Sequence, residues 1–549
     1  MTNASAASAA PSSVPPAARD TSVPLRLKMT LDRVTGRVTM YRLVVISLIV
    51  LAAIAIVLSL AGLIFYTPAE IALSGVVAVG ATSLTSILFA AVFRTRAHVE
   101  SSLITGLLLL FLFRPTTDVA ELATIALAAL IASASKYLLA IRRRHIFNPA
   151  AIGALIVGLL QLNFAAWWIA TPWMLPFTAI ATLLILYRTH RLTMGLGFIA
   201  LAAVLITVTL GSIGTAFTSY PIVFLAGFML SEPLTLPPRR WQQLVLAAIV
   251  AVLLAVPFSV GPLYNSPELA LVVGNLFAFA VGQRRGIRLT FRGRTQLTPT
   301  SWEFEFEPHR RLSFLPGQYM ELTLPHKNRD PRGLRRVFSI ASAPGVGSGS
   351  AAGTATGGVA GGVTGGAAAP ATTGAAGVVR FGLRVPEVSS SFKRALLELN
   401  PGETVAATSI GGDFVLPRDQ ARPLLLVAGG IGITPFISQL EHLEVTGQKR
   451  DVVLVYSSSS ADEIAYAEHL ERGEHRVLLV SPTAPTELPA SWTWIGAGPL
   501  TGPMLLDAVP DATARDTFVS GPPQLVTALR QALRRAGVRR VKSDYFSGY

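Results

Sequence analysis

Two groups of residues carry chemical meaning by type and spacing. Gly429, Gly430 and Gly432 follow an apolar run (423–428) and precede a helical pattern. A turn without side chains lets backbone N–H groups approach a pyrophosphate at a helix N-terminus. Ser390 and Ser391 open another helical pattern, "SSSFKRAL" (389–396), with hydroxyls suited to capping a phosphate. The second group lies in the first half of the chain. Glu232-Pro233 ends an apolar run of about 221–230 that is too short to cross a bilayer. Lys136 sits near the end of another apolar run. An intramembrane lysine is costly, and two roles fit it: a ligand of an internal site, or a side chain snorkelling to the surface.

The composition bounds the elements that must position these groups. Of 549 residues, 51% are apolar and 14% charged, and none is cysteine; the mean hydropathy is +0.53. Disulfides, iron–sulfur clusters and thiolate zinc sites are excluded in this chain, and no metal site is expected. The net charge of +15 reflects arginines in short loops between apolar runs, so nucleic acid is not an expected partner. Residues 1–40 are Ala/Ser/Pro-rich and then basic, without an apolar core, and read as a disordered cytoplasmic tail rather than a signal peptide.

Residues 41–284 read as a polytopic α-helical membrane domain. Ten apolar segments lie near 43–65, 70–93, 101–113, 119–141, 149–162, 167–187, 193–211, 220–231, 242–260 and 267–282. Alternate loops are basic, and the intervening ones carry only Arg114. The positive-inside rule puts both termini in the cytoplasm, which an even number of spans requires. The third and eighth segments are short, lie five apart and end in proline turns on opposite sides. This predicts an inverted 5+5 repeat with a site near the mid-plane. A re-entrant turn without a ligand fits the same spacing.

After Arg288 the rhythm changes. "SWEFEFEP" (301–308), "QYMELTLP" (318–325), "RVFSIASA" (336–343) and "VVRFGLRVP" (378–386) predict strands of an antiparallel β-barrel over 285–420. The Gly/Ala/Thr-rich stretch 345–377 has no charge and no large side chain, and predicts a disordered insert. From 421 to 549, strand–turn–helix units predict a doubly wound α/β domain.

Residues 285–549 resemble the ferredoxin–NADP reductase superfamily. "PGQY" (316–319), "RVFS" (336–339), "SSSFKRAL" (389–396), "GGIGITP" (429–435) and "SGPP" (520–523) occur in that family's order. The resemblance implies an FAD-binding barrel, with Tyr319, Arg336, Val337, Phe338, Ser339, Ser390 and Ser391 at the flavin. Arg336 would pair with the pyrophosphate, Phe338 would pack on the ring system, and Ser339 would lie near its N5. It implies NAD(P)H binding by Gly429, Gly430, Gly432, Thr434, Gly521 and Pro522. Ser339 and Ser520 are the implied catalytic residues, Ser520 standing where the family commonly has cysteine. Phe546 or Tyr549 of the terminal "DYFSGY" would shield the flavin, or form an ordinary packed terminus. "YSSSS" (456–460) carries no arginine for a 2′-phosphate, which leans to NADH.

The membrane half resembles the membrane flavoprotein subunits of the Rnf complex and of Na⁺-translocating NADH:quinone reductase. "SSLITGLLLLFLF" (101–113), "SKYLLA" (135–140), "HIFNPAAIGALI" (145–156) and "FMLSEPLTLPP" (228–238) carry it. By that likeness Lys136, Asn148, Pro149, Glu232, Pro233 and Thr235 frame a second flavin, FMN or riboflavin. Glu232 stands in that family's Asp-Pro-x-Thr element. Thr171 is the nearest counterpart of its flavinylated threonine.

No predicted span contains histidine, so haem is not expected. The expected function is a multi-pass cell-membrane oxidoreductase with a cytoplasmic reductase domain. It would pass electrons from NAD(P)H through FAD and a membrane flavin to an extracytoplasmic acceptor, such as a flavin-bearing protein. The alternatives are an NAD(P)H:quinone reductase, with or without ion coupling, and a transporter with a redox-sensing reductase domain.

Overall fold

The computed structural model describes residues 39–94, 99–141, 144–282, 286–327, 330, 334–345 and 377–545. The expected tail before residue 39, almost all of the 345–377 insert, Phe546 and Tyr549 lie outside them.

In chain order the first half forms α1 (Met40–Leu60), α2 (Pro68–Val92), α3 (Val99–Leu112), α4 (Val119–Leu138), α5 (Pro149–Leu159), α6 (Leu175–Arg188), α7 (Leu192–Leu210), α8 (Ile213–Thr218), α9 (Ile222–Phe224), α10 (Arg240–Ala255) and α11 (Pro267–Val281). By length and composition α1, α2, α4 and α7 could each cross a membrane. Local chemistry sets the starts. Thr67 and Glu70 form a reciprocal capping box with Pro68 at the first position of α2. Asp118, Asn148 and Ser266 cap α4, α5 and α11, the last two followed by proline.

The packing follows a repeated order. Helix α2 packs along α4, and α4 along α5; likewise α7 packs along α10, and α10 along α11. Helix α1 packs on α3 as α6 packs on the segment that continues from α9. That segment is broken. After α9 it becomes a π-turn at Leu225–Met229 and a short 3₁₀ turn at Pro233–Thr235. The carbonyls it frees are satisfied by side chains: Thr182 Oγ1 donates to Val223 O (2.9 Å) and Ser231 Oγ to Gly227 O (2.6 Å). Backbone polar groups in an apolar bundle require such partners.

The sixth segment starts later than its apolar run suggests. Residues 167–174 form turns, and the helix begins at Leu175. The two tryptophans act as caps instead. Trp167 N–H donates to Leu112 O (2.8 Å), and Trp168 Nε1 donates to Leu110 O (2.6 Å). They close the C-terminal end of α3, whose last carbonyls have no partner within the helix.

The second half has two sheets. Strands β1 (Ile287–Thr298), β2 (Ser301–Pro308), β3 (Tyr319–Thr323), β4 (Arg335–Ser339), β5 (Val379–Arg384) and β6 (Thr404–Gly411) pair antiparallel in the order β4-β3-β6-β1-β2-β5. Alternation explains the core: Phe304, Phe306, Phe381 and Leu383 point inward beside Phe291. The short helix α12 (Ser391–Leu397) covers one end.

Strands β7 (Leu424–Gly429), β8 (Val452–Ser457), β9 (Arg476–Val480), β10 (Trp492–Gly496), β11 (Asp516–Gly521) and β12 (Val541–Tyr545) form a parallel sheet ordered β10-β9-β8-β7-β11-β12. Helices α13 (Thr434–Thr446), α14 (Ala467–Arg472), α15 (Gly502–Ala508) and α16 (Pro523–Arg535) complete this domain. Two apolar clusters, one containing Leu424, Leu426 and Phe436 and the other Leu425, Val427 and Val526, hold residues that alternate along β7. A sheet buried on both faces is what the continuous apolar runs require.

Candidate functional site

The strand order brings the "PGQY" and "RVFS" residues face to face: Tyr319 of β3 is opposite Ser339 of β4. Gly317 has a left-handed φ of +88°, and a Cβ there would fall 2.1 Å from Phe414 O and 2.4 Å from Gln439 Nε2. Glycine is therefore required where the barrel meets α13. Gln318 braces the turn, accepting from Leu315 N–H (2.9 Å) and donating to Gly412 O (3.1 Å).

Arg336 occupies an anion-binding arrangement. Its Nη2 donates to Asp330 Oδ1 (3.0 Å) and Oδ2 (3.3 Å), and its guanidinium lies 5.5 Å from the Phe392 ring centroid. Ser391 N–H donates to the same carboxylate (3.2 Å), while Ser391 Oγ accepts from Asp330 N–H (3.0 Å). Ser390 caps α12 through Lys393 N–H. A guanidinium and a backbone amide thus converge on one negative charge, the donor set a phosphate needs. Phe338 packs against Phe392 (5.8 Å) and Phe381 (6.4 Å) and lines the cleft beside Ser339. Val337 is exposed at the strand surface. These residues fit the FAD implied by the sequence.

The nucleotide-side motifs interlock. A Cβ on Gly432 would fall 2.7 Å from both Gly521 Cα and Ser520 O, and one on Gly429 would fall 3.0 Å from Pro522 Cδ. Thr434 Oγ1 closes the turn by donating to Ile431 O (3.1 Å). Ser520 Oγ is fully buried and makes no hydrogen bond. A buried hydroxyl left over beside a glycine cradle fits a nicotinamide dinucleotide.

One carboxylate here escaped the sequence reading. Asp544 of β12 accepts from Tyr545 N–H (3.0 Å) and lies beside Ser339, and burial pushes its pKa up to about 6 against the lowering effect of both. Its signal was an acid beside the aromatic terminus. Asp330 is likewise not legible in the sequence, because no motif spacing links it to Arg336.

The candidates of the helical half gather at the end of the bundle facing the barrel. Glu232 accepts from Asn148 Nδ2 (2.9 Å) and pairs with His145 Nε2 (3.0 Å). Asn148 N–H donates to Asn275 Oδ1 (2.8 Å), and Pro149 begins α5 beside it. Lys136 Nζ donates to Ser101 O (3.0 Å) and Oγ (3.1 Å). Thr235 Oγ1 turns back to Glu232 O (3.2 Å), closing the turn that Pro233 starts. Two expectations need correction. The cluster lies at the barrel-facing end and not at the middle of the bundle. Thr171 belongs to the turn at the opposite end of α5, contacting Met174 N–H, because the two tryptophans before it cap α3 there.

A cleft of about 3700 Å³ joins these regions, lined by Lys136 and His145 on one side and by Arg336, Phe338, Ser339 and Gly430 on the other. It is several times the ~300–1,000 Å³ of a pocket for one small ligand. A second cavity of about 40 Å³ lies beside Asn148, Phe228 and Glu232.

Residues 426–531 match the oxidoreductase NAD-binding domain family. The chain is 27% identical over 148 residues to a flavohemoprotein of Bacillus cereus, covering 26% of this chain and 37% of that protein. It is 27% identical over 240 residues to the toluate 1,2-dioxygenase electron transfer component of Pseudomonas putida, covering 43% and 59%. The chain thus spans less than two thirds of either relative. The FAD/NAD-binding domain of a Vibrio cholerae nitric oxide dioxygenase is similar at a TM-score of 0.36 and 16% identity, over 47% of this chain and 98% of that one. The family match and the order of barrel, glycine turn and parallel sheet identify the C-terminal half as a ferredoxin reductase-like FAD- and NAD-binding module, the equipment of an NAD(P)H oxidoreductase.

Proposed function

We propose that the chain takes reducing equivalents from NADH or NADPH on the cytoplasmic side of a cell membrane and delivers electrons to an acceptor on the other side. The carrying observation is the shared cleft, in which the flavin strand β4 faces Lys136 and His145 of the helical bundle. Bound FAD would supply two-electron acceptance and one-electron release. Arg336 and Ser391 would hold its pyrophosphate, and Phe338 would pack on its rings. Gly429, Gly430 and Gly432 would admit the dinucleotide, with Ser520 beside the nicotinamide. Ser339 and Asp544 would adjust hydrogen bonding at the reacting edge.

The helical half is read as two inverted five-segment units, supported by the matching packing orders and by the two short segments. Basic loops favour cytoplasmic termini. A second flavin, FMN or riboflavin, is proposed in the cleft at the bundle end. Lys136, His145 and Asn148 offer donors there, and Glu232 an acceptor; the cavity of about 40 Å³ is too small for one. The extracytoplasmic acceptor is proposed to be a redox protein.

The first test is a flavin count on detergent-purified protein after acid extraction. FAD plus a second flavin supports the reading. FAD alone favours the quinone reductase, whose apolar ring would enter the bundle beside Pro149 and Phe228.

A further inference from the structure

We propose that a file of aromatic rings carries single electrons through the helical half, from the small cavity beside Glu232 to the face bearing Phe65. The inference rests on the transmembrane reading above. Phe228 lines that cavity. Its ring stacks on Phe224 with centroids 4.8 Å apart. Phe224 meets Phe111 at 5.6 Å, Phe111 meets Trp168 at 5.5 Å, Trp168 meets Tyr66 at 5.5 Å, and Tyr66 meets Phe65 at 5.7 Å. Steps of this length, placed end to end, approach the ~30 Å of a hydrocarbon core.

The file passes through the contact between the two short segments. Phe111 belongs to α3 and Phe224 to α9, and both are almost completely buried. Water cannot enter between them, and close packing restrains the rings. At the far end Trp168 is fixed by its hydrogen bond to Leu110 O, and its neighbour Trp167 by donating Nε1 to Glu268 Oε2 (3.0 Å). Phe65 is 96% exposed, which puts the last ring at the surface. At the near end Tyr41 lines both the small cavity and the large cleft, which places a further ring between the cavity and β4.

The electron balance is simple. One electron leaves a reduced flavin on the barrel side and the same electron reduces an acceptor redox protein at the other face, the rings coupling the two without being reduced themselves. No bond forms or breaks in the file, and no proton must accompany the charge. Contacting π-systems couple these steps better than saturated side chains of similar volume.

The test uses full-length holoprotein in sealed liposomes with NADH added only outside. Ferricyanide is either sealed in the lumen (trans) or added outside (cis). Phe111→Leu and Phe224→Leu keep apolar packing at modest cost. Each is expected to lower the trans rate by an order of magnitude while leaving the cis rate unchanged. Phe198→Leu changes a buried ring of α7 outside the file and is expected to leave both rates unchanged. Wild-type protein without trans reduction would remove the transmembrane reading itself. Trans rates unaltered in both file variants, or lowered equally by Phe198→Leu, would overturn the file and leave that reading standing.

Discussion

The Arg335 guanidinium lies 5.9 Å from the Tyr41 ring centroid, so the strand that carries the candidate flavin residues touches the first helix of the bundle. Successive strand residues point to opposite faces. Arg335 therefore reaches Tyr41 while Arg336 turns to Asp330 and Phe392. Arg240 and Asp413 add a second, more exposed tie at 3.7 Å between Nε and Oδ2. A partly desolvated cation–π contact is worth about 0.5–2 kcal/mol, enough to hold a preferred docking but not to fold a domain. Arg335→Ala is expected to leave NADH-to-ferricyanide turnover on the barrel side intact while slowing delivery across the bundle several-fold. An equal fall in both rates would show that Arg335 serves the barrel itself.

Asp330 occupies the charge position that a flavin pyrophosphate held by Arg336 would take, which predicts competition. Arg336→Ala should yield protein without acid-extractable FAD and without NADH oxidation, while the bundle still inserts. Asp330→Asn should do the reverse, because a neutral amide holds the guanidinium less tightly than a carboxylate. Fluorescence titration of flavin-free protein is expected to show several-fold tighter FAD binding in that variant. Weaker binding would mean that Asp330 orients Arg336 instead of competing for it.

Asp544 gives the reductase a titration in an accessible range. With a pKa near 6 it is protonated below that pH and ionised above it. When protonated it donates to Ser339 Oγ and leaves the serine hydroxyl free to donate toward the flavin edge. When ionised it takes that hydroxyl hydrogen for itself. An arriving hydride brings negative charge, which a hydrogen-bond donor stabilises. Single-turnover hydride transfer is therefore expected to slow as pH rises through about 6. Asp544→Asn should flatten this step, and a step that persists would have to come from another group.

Much of this architecture is legible from residue patterns. The strand alternation of "SWEFEFEP" and the apolar run before Gly429 announce β2 and β7, because each records which faces are buried. The short segment ending at Glu232-Pro233 announces the broken helix, because proline cannot continue a helical hydrogen-bond ladder. The contacts that assemble the site are not legible. Trp167 and Trp168 look like membrane-spanning apolar residues, and only the unsatisfied carbonyls of α3, far away in sequence, explain their turn. Asp330, Asp544 and Tyr41 gain their meaning from tertiary neighbours, and hydropathy carries no record of those. The aromatic file is invisible in sequence because its members come from the 61–66 loop, α3, the tryptophan turn and the broken segment.

The relative placement of barrel and nucleotide domain depends on a buried charge lattice. Glu441 of α13 accepts from Ala343 N–H (2.6 Å) and from Arg380 Nη2 of β5 (2.5 Å), and Arg380 also approaches Glu303 at 3.8 Å. Burial raises the Glu303 carboxyl pKa, an effect that Arg380 opposes. Removing one member strands the others in a dry setting. Breaking such a buried pair costs about 3–5 kcal/mol. Glu441→Leu leaves both the Ala343 amide and part of the Arg380 guanidinium without their acceptor. It is expected to lower the unfolding temperature of the reductase half. It should also slow hydride transfer more than it weakens the binding of either cofactor, since each half-site stays intact while their mutual angle loosens. Stopped-flow flavin reduction at saturating NADH separates these effects. A change confined to the apparent NADH affinity would show that Glu441 shapes the nucleotide site and not the angle between the domains.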